Sequence, residues 1–362
     1  MLTVLPSTAV GSLPSGLAAR ERGVDPVVTA AMTREFFAEL PYIVELPARG
    51  PGADMVGRIA ALLAQVSGDL SVSSVPSGWR RSRGPGADTE RALGWWTQDL
   101  DALAEVYHDY RGALKLQLCG PLTFSRYVED AAGEPSLRDA GFARDATSAF
   151  AEAALSHLAH VQRLIPGAEL VLQIDEPALH DVVTGGVSTA SGYARVRSMP
   201  QGEAVALFSS LLSRLRTQCE QTGTNLRGLW LHDCGSGSRL GLALAAGFDA
   251  VSIDLSRPLT ADEVEACGAM LDSAHRLVLG VLSPADWALP EAAMRERAIA
   301  RSEWLRHRLS LDEHAWAAQV TLAPNCGLAS ASAAQARSVL QAVCRAGRSV
   351  TGDTIAVDEA GR

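Results

Sequence analysis

Residues 229–237 read LWLHDCGSG: an apolar run ends in His232, and Cys234 follows one residue after Asp233. Imidazole and thiolate are both zinc ligands. Two further runs end in residues of ligand type: Asp254 closes DAVSID (249–254), and Cys326 lies in APNCGL (323–328). His-x-Cys alone is a weak signal, because a lone histidine or cysteine is more often packing. Asp254 alone reads equally well as a cap for the loop behind it. The set gains weight because every member stands where a β-rich run gives out. We therefore expect one metal site, made by His232, Cys234, Asp254 and Cys326.

The ligand types point to a particular chemistry. A free thiol ionises near pH 8.5 and is mostly protonated at neutral pH. Coordination to zinc removes that proton outright, and the bound sulfur remains nucleophilic toward an alkyl donor. Cysteine ligands add electron density and make such a sulfur more reactive. A hydrolytic zinc site favours histidine-rich ligands, an open water position and a nearby base. The cysteine-rich set therefore favours thiol alkylation.

These residues need a frame that brings distant strand ends together. Short β-rich runs occur at 8–12, 42–46, 114–119, 169–175, 226–232, 249–254, 276–282 and 318–323. Helical periodicity follows most of them, at 53–66, 143–165, 203–221, 261–272, 291–309 and 331–347. Such alternation predicts a parallel sheet with helices on its faces. Eight units over 362 residues fit an α/β fold of the (β/α)8 or TIM-barrel type, one domain over 1–362, with a frayed tail from about 351. An open doubly wound sheet would want G-x-G-x-x-G after an early strand, and the motif is absent. In a barrel the chemistry gathers at the C-terminal strand ends. Those ends supply Ser12, Glu45, Gly120-Pro121, Asp175-Glu176-Pro177, His232-Asp233-Cys234, Asp254, Ser283-Pro284 and Asn325-Cys326-Gly327.

Composition removes other classes. A net charge of −9 and a pI near 5.4 argue against nucleic-acid or anionic-membrane partners. No apolar run reaches the roughly 18 residues of a membrane helix, and the start lacks a basic signal region, so a cytoplasmic location is expected. Six cysteines in a chain of this kind do not read as a disulfide framework; Cys219, Cys267 and Cys344 fall in helical patterns as small hydrophobes. Lys115 is the only lysine, and G-x-x-x-x-G-K-[ST] is absent.

Several ordered motifs resemble the cobalamin-independent methionine synthase family, specifically its catalytic C-terminal barrel, within the uroporphyrinogen decarboxylase/methionine synthase-like superfamily. STAVGSLP (7–14), LCGPLTF (118–124), LQIDEPAL (172–179), HDC (232–234), VSIDLSR (251–257) and APNCGL (323–328) are similar to its blocks and follow the same order over nearly the whole chain. The resemblance implies a zinc-dependent methyltransferase of methionine biosynthesis that activates homocysteine. His232, Cys234 and Cys326 match the family's zinc ligands by type, and Asp254 stands where the family has glutamate. Ser12 and Asp175 match positions that hold the amino acid, with Asp175 also counted as catalytic. A carboxylate facing an ammonium suits that role.

The departures bear on the donor. The family's second substrate-binding glutamate falls on or beside Arg49, with Glu45 the nearest carboxylate; Tyr127 stands for its folate-stacking tryptophan; Leu282 stands for its catalytic histidine. The family's long form has an N-terminal barrel that these residues do not include. The expected donor is methylcobalamin or a corrinoid protein, or else methyltetrahydrofolate. Two other readings stand beside this one. The first is a related thiol alkyltransferase with a corrinoid donor and a different thiol. The second is a degenerate barrel that binds a thiol or amino acid without turnover.

Overall fold

The structure, a computed structural model, describes residues 4–15, 25–234 and 239–349. Its strands are β1 (Val72–Val75), β2 (Gly78–Arg81), β3 (Gly112–Cys119), β4 (Val128–Glu129), β5 (Ala168–Asp175), β6 (Leu226–His232), β7 (Ala250–Asp254), β8 (Arg276–Leu282) and β9 (Val320–Pro324). Its helices are α1 (Pro26–Phe36), α2 (Met55–Val66), α3 (Ala87–Tyr107), α4 (Pro121–Tyr127), α5 (Ala140–Leu164) and α6 (Leu179–Thr184), followed by α7 (Gln201–Thr222), α8 (Leu240–Ala246), α9 (Ala261–Asp272), α10 (Glu291–Arg308), α11 (Glu313–Gln319) and α12 (Ala333–Ser349).

The main sheet is parallel, in the order β3-β5-β6-β7-β8-β9. Its strands are covered on both faces, which is why they read as nearly unbroken apolar runs. On the outer face, Leu114, Leu116, Leu172, Leu231, Ile253 and Leu279 pack beneath the helices in the large core. On the inner face, Leu40, Ala113, Val171, Trp230, Ala250, Val278 and Ala323 form a separate apolar cluster. Farther along the same strands the inner face turns polar, at Lys115, Gln117, Gln173, Asp175, His232 and Ser252, because alternate residues share a face. The ladder register then aligns the strand ends, with Cys119 opposite Asp175 and Asp175 opposite His232.

The expected closed eight-stranded barrel is corrected to a curled sheet of six strands. The segments at 8–12 and 42–46 are held by isolated parallel bridges, Ser7 to Leu322, Ser12 to Glu45 and Tyr42 to Lys115. Leu13 N–H donates to Glu45 O at 2.9 Å, and Ile43 N–H to Lys115 O at 3.0 Å. Prolines flank both segments (Pro6, Pro14, Pro41, Pro47) and withhold the N–H groups a continuous ladder needs. Gly11 lies so close to β3 that a Cβ there would sit 2.7 Å from Gln117 Nε2. A small sheet β1-β2-β4 went unanticipated; its β2 residue Trp79 donates to Asp54 Oδ1, which also caps α2 through the Val56 and Gly57 N–H groups. The tail expected to fray from about 351 lies outside the described residues. No described helix is long and apolar enough to cross a membrane.

Candidate metal centre

β6 ends in His232, and two residues later the chain presents Cys234; the turn after β9 presents Cys326. One ligand atom from each, the His232 ring nitrogen and the two sulfurs, lies within 4.8 Å of the other two. The sulfurs are 3.6 Å apart. His232 is 3% exposed, and its Nδ1 is 3.1 Å from Ser252 Oγ on the neighbouring strand β7. Its buried Nε2 has no hydrogen-bond partner among the described residues. A buried imidazole with one nitrogen anchored and the other unpaired, facing two thiols, fits a metal ligand whose outer partner fixes the ring. The thiol pair is polarised. The two sulfurs are hydrogen-bonded to each other, and this bond, together with His232, holds Cys326 well below its ordinary value despite burial. Cys234 is pushed up in turn, by that same bond and then by burial.

Asp254 does not join these three. The β7–β8 register puts it on the inner face opposite Gly280, but its Oδ1 accepts from the Ser256 N–H at 2.7 Å. Among the described residues the cluster is therefore His232, Cys234 and Cys326. The shorter aspartate reaches its own turn.

The expected substrate residues fall on both sides of this cluster. Asp175 closes β5 beside His232, is 5% exposed, and accepts from Gln173 Nε2 on Oδ1 at 2.7 Å. Burial raises its carboxyl to about 7; His232 opposes the rise and Glu45 adds to it. Ser12 packs against the metal-side turn: a Cβ on Gly327 would meet its Oγ at 2.1 Å, and its carbonyl accepts from the Leu328 N–H. Glu45, bridged to Ser12, is buried 3.8 Å from Arg58 Nε, and burial raises its carboxyl against the pull of Arg58, Gln117 and Lys115. Tyr127 stands apart at the end of α4, half exposed, with Arg126 over its ring at 5.0 Å.

The departures noted in the sequence are also placed. Leu282 is fully buried at the end of β8, where its carbonyl accepts from the Asn325 N–H. Arg49 is committed elsewhere, to Asp99 Oδ2 at 2.8 Å and to the face of Trp95 at 4.8 Å. Cys219, Cys267 and Cys344 are buried, as small hydrophobes should be.

Ser252 and Gln173 were not foreseen, and Glu176, placed at a strand end by the sequence, was given no role there. Ser252 could have been found by counting two residues back from Asp254 in VSID, since the two share a face. Glu176 sits inside the D-E-P block, fully buried. It accepts from the Leu122 N–H at 3.0 Å, the Thr123 N–H at 2.7 Å and the Thr123 hydroxyl at 2.6 Å. It thereby fixes the first turn of α4 against β5. Backbone bonds complete this seam, from Gly120 N–H to Asp175 O and from Glu176 N–H to His232 O, each 2.8 Å.

No family model matches this sequence, and no curated protein matches it. Among solved structures it is similar to a B12-independent methionine synthase from Shewanella sp. W3-18-1 in complex with selenomethionine. That match has a TM-score of 0.56 and 14% sequence identity, and covers 95% of this chain and 97% of that one. The likeness shows a shared fold. A GH10 endoxylanase from a sugarcane soil metagenome matches with a TM-score of 0.23 over 66% of this chain and 57% of that one at 13% identity, too low to carry an argument.

Proposed function

We propose that this chain is a zinc-dependent S-methyltransferase that activates a small thiol, homocysteine first, and so makes methionine. The observation that carries the reading is the convergence of His232, Cys234 and Cys326, from the ends of β6 and β9, on one point. The residues fit the metal by type, by count and by the unpaired His232 Nε2. The similar methionine synthase fold is consistent with it.

Zinc, when bound, supplies a centre that holds a thiol as thiolate at neutral pH. The chain's own residues do the rest. His232, Cys234 and Cys326 would hold the metal. Ser252 keeps the His232 ring turned so that Nε2 faces the cysteines. Asp175 offers a carboxylate to an α-ammonium. Its Oδ2 has no hydrogen bond to the described residues, since Gln173 engages only Oδ1. Ser12, packed against Gly327, offers a hydroxyl toward the substrate carboxylate. The apolar inner cluster lies below, farther down the same strands.

The test is metal content with turnover. The purified protein should hold about one zinc per chain and convert homocysteine to methionine with methylcobalamin or methyltetrahydrofolate. Cys234→Ser and Cys326→Ser should each lose the metal and the activity. Unchanged zinc in both variants, or no methionine from either donor, would overturn the reading.

A further inference from the structure

The polar inner face contains a group that the proposed chemistry does not use. Lys115, the only lysine of the chain, is 0% exposed. Its Nζ donates to Val10 O at 2.9 Å and to Gln173 Oε1 at 2.9 Å, with Gln117 Oε1 farther away at 3.5 Å and the Tyr42 ring centroid at 5.4 Å. Burying an ammonium is costly, and an apolar side chain of similar volume usually serves a core better. A structural account of Lys115 therefore has to explain why a charge stands there at all.

The hydrogen-bond inventory gives a reason. An ammonium only donates, so it fixes which end of the Gln173 amide faces it: Oε1 must point to Lys115 and Nε2 away. Nε2 then donates to Asp175 Oδ1 at 2.7 Å and to Val10 O at 3.0 Å. Without the ammonium, Gln173 Oε1 loses its donor, and the side chain that carries Nε2 to Asp175 is held from one end only. Lys115 also supplies a positive charge that both Asp175 and Glu45 feel. Both Lys115 and Gln173 hold Val10 O, two residues before Ser12, so the same ammonium ties down the segment that carries the other proposed substrate contact.

We propose that Lys115 is a positioning residue for the amino-acid end of the thiol substrate: through Gln173 it sets the Asp175 carboxylate with Oδ1 engaged and Oδ2 presented to an ammonium. This rests on the functional reading above, in which Asp175 receives that ammonium. Lys115 itself touches no substrate.

The experiment has two arms, because they fail separately. In the first, protein grown on isotope-labelled lysine gives one side-chain NMR signal, since the chain has one lysine. Gln173→Met and Asp175→Asn should each move that signal, and Asp286→Asn, on a different loop, should not. A signal indifferent to Gln173→Met overturns the proposal whatever the substrate is. In the second arm, calorimetry measures homocysteine binding to the zinc-loaded protein. Lys115→Met should weaken binding at least tenfold with zinc content unchanged, and the Lys115→Met/Asp175→Asn pair should bind no worse than Asp175→Asn alone. Additive losses would show a merely structural role and overturn it. Gln173→Met, which keeps the charge and cuts the link, should reproduce the loss, so the arm survives a Lys115→Met protein that does not fold. If the wild-type protein binds no homocysteine, the functional reading falls and this proposal with it; binding weakened by Asp175→Asn but not by Lys115→Met or Gln173→Met overturns this proposal alone.

Discussion

Asp175 is engaged at one oxygen and, among the described residues, has no hydrogen bond at the other, and this asymmetry makes it informative. An acceptor with an α-ammonium should lose affinity in Asp175→Asn, with KM rising about 10- to 100-fold, at about 1.4 kcal/mol per factor of ten, while zinc stays bound. A thiol without an amine should be indifferent. Because burial raises the Asp175 carboxyl to about 7, the wild-type KM should also climb as pH falls below about 7, where the group takes up a proton and loses its charge. The Asn variant should lack that limb. Steady-state kinetics from pH 6 to 8 on both proteins decide the matter, and identical profiles would remove Asp175 from substrate binding. Much of this was legible in the sequence for a chemical reason. Histidine and cysteine are scarce types whose presence at strand ends is noticeable. Ser252 and Gln173 are common types whose work depends on register, which no single sequence displays. Asp254 shows the converse: a ligand type at a strand end that lies outside the His232, Cys234 and Cys326 cluster, with Oδ1 bonded to the Ser256 N–H.

At the scale of elements, the six strands of the main sheet were readable because burial on both faces leaves apolar runs, and the long helices because one face must stay wet. The β1–β2 hairpin was not, since two four-residue strands with mostly exposed or half-buried positions carry no such signature. Nor did the runs at 8–12 and 42–46 reveal that they pair only at isolated bridges. The connection from β8 to α10 adds a device of its own. Asp286, 1% exposed, accepts from Arg297 at 2.6 Å, Arg301 at 2.7 Å and the Ser283 N–H at 2.9 Å. Burial pushes its carboxyl up, but Arg301, the Ser283 N–H and Arg297 together outweigh burial and hold it at about 2. Its folded value lies below the ordinary aspartate value of about 3.9. The stabilisation is therefore complete above about pH 4 and is lost as pH falls toward 2. The ceiling is about 2 kcal/mol, and the half exposure of Arg297 brings it nearer 1. Urea unfolding should show Asp286→Asn less stable than wild type by at least that amount at pH 7, the gap narrowing by about 1–2 kcal/mol by pH 2.5. A gap independent of pH would show that Asp286 titrates alike in the folded and unfolded chain, so that its arginine partners add no net stability.

At the scale of the whole molecule, the question is which methyl donor the strand-end face can serve. Expelling the amine nitrogen of a methylated folate requires a proton in the transition state, and a positioned general acid normally supplies it. Two carboxyls on this face are raised to about 7, but Glu176 is closed in by Leu122 and Thr123, and Asp175 is assigned to the substrate ammonium; the remaining candidates among the described residues do not offer a proton. Leu282, at the position where a histidine was sought, is buried and has no proton to give. Asp286, in the connection that follows β8, is held ionised between two arginines at neutral pH. His180 on α6 is kept neutral by burial and by Arg239, whose Nη2 lies 2.9 Å from its Nδ1. His232 is taken up with Ser252 and the cysteines. Tyr127 could stack on a flat ring, but half exposed at the end of α4 it covers little of one. A methyl group on cobalt needs no proton to leave, because the metal departs as a stable reduced ion. We therefore predict that zinc-loaded protein methylates homocysteine faster from methylcobalamin, free or protein-bound, than from methyltetrahydrofolate. Loss of one general acid is worth about 10²–10⁴ in rate, so the difference in kcat/KM should reach at least about a hundredfold. Leu282→His should narrow it by raising the folate rate alone. A competition assay at neutral pH with both donors at equal concentration reads the ratio directly, and a faster rate from the folate would mean that an acid outside these four groups serves the reaction.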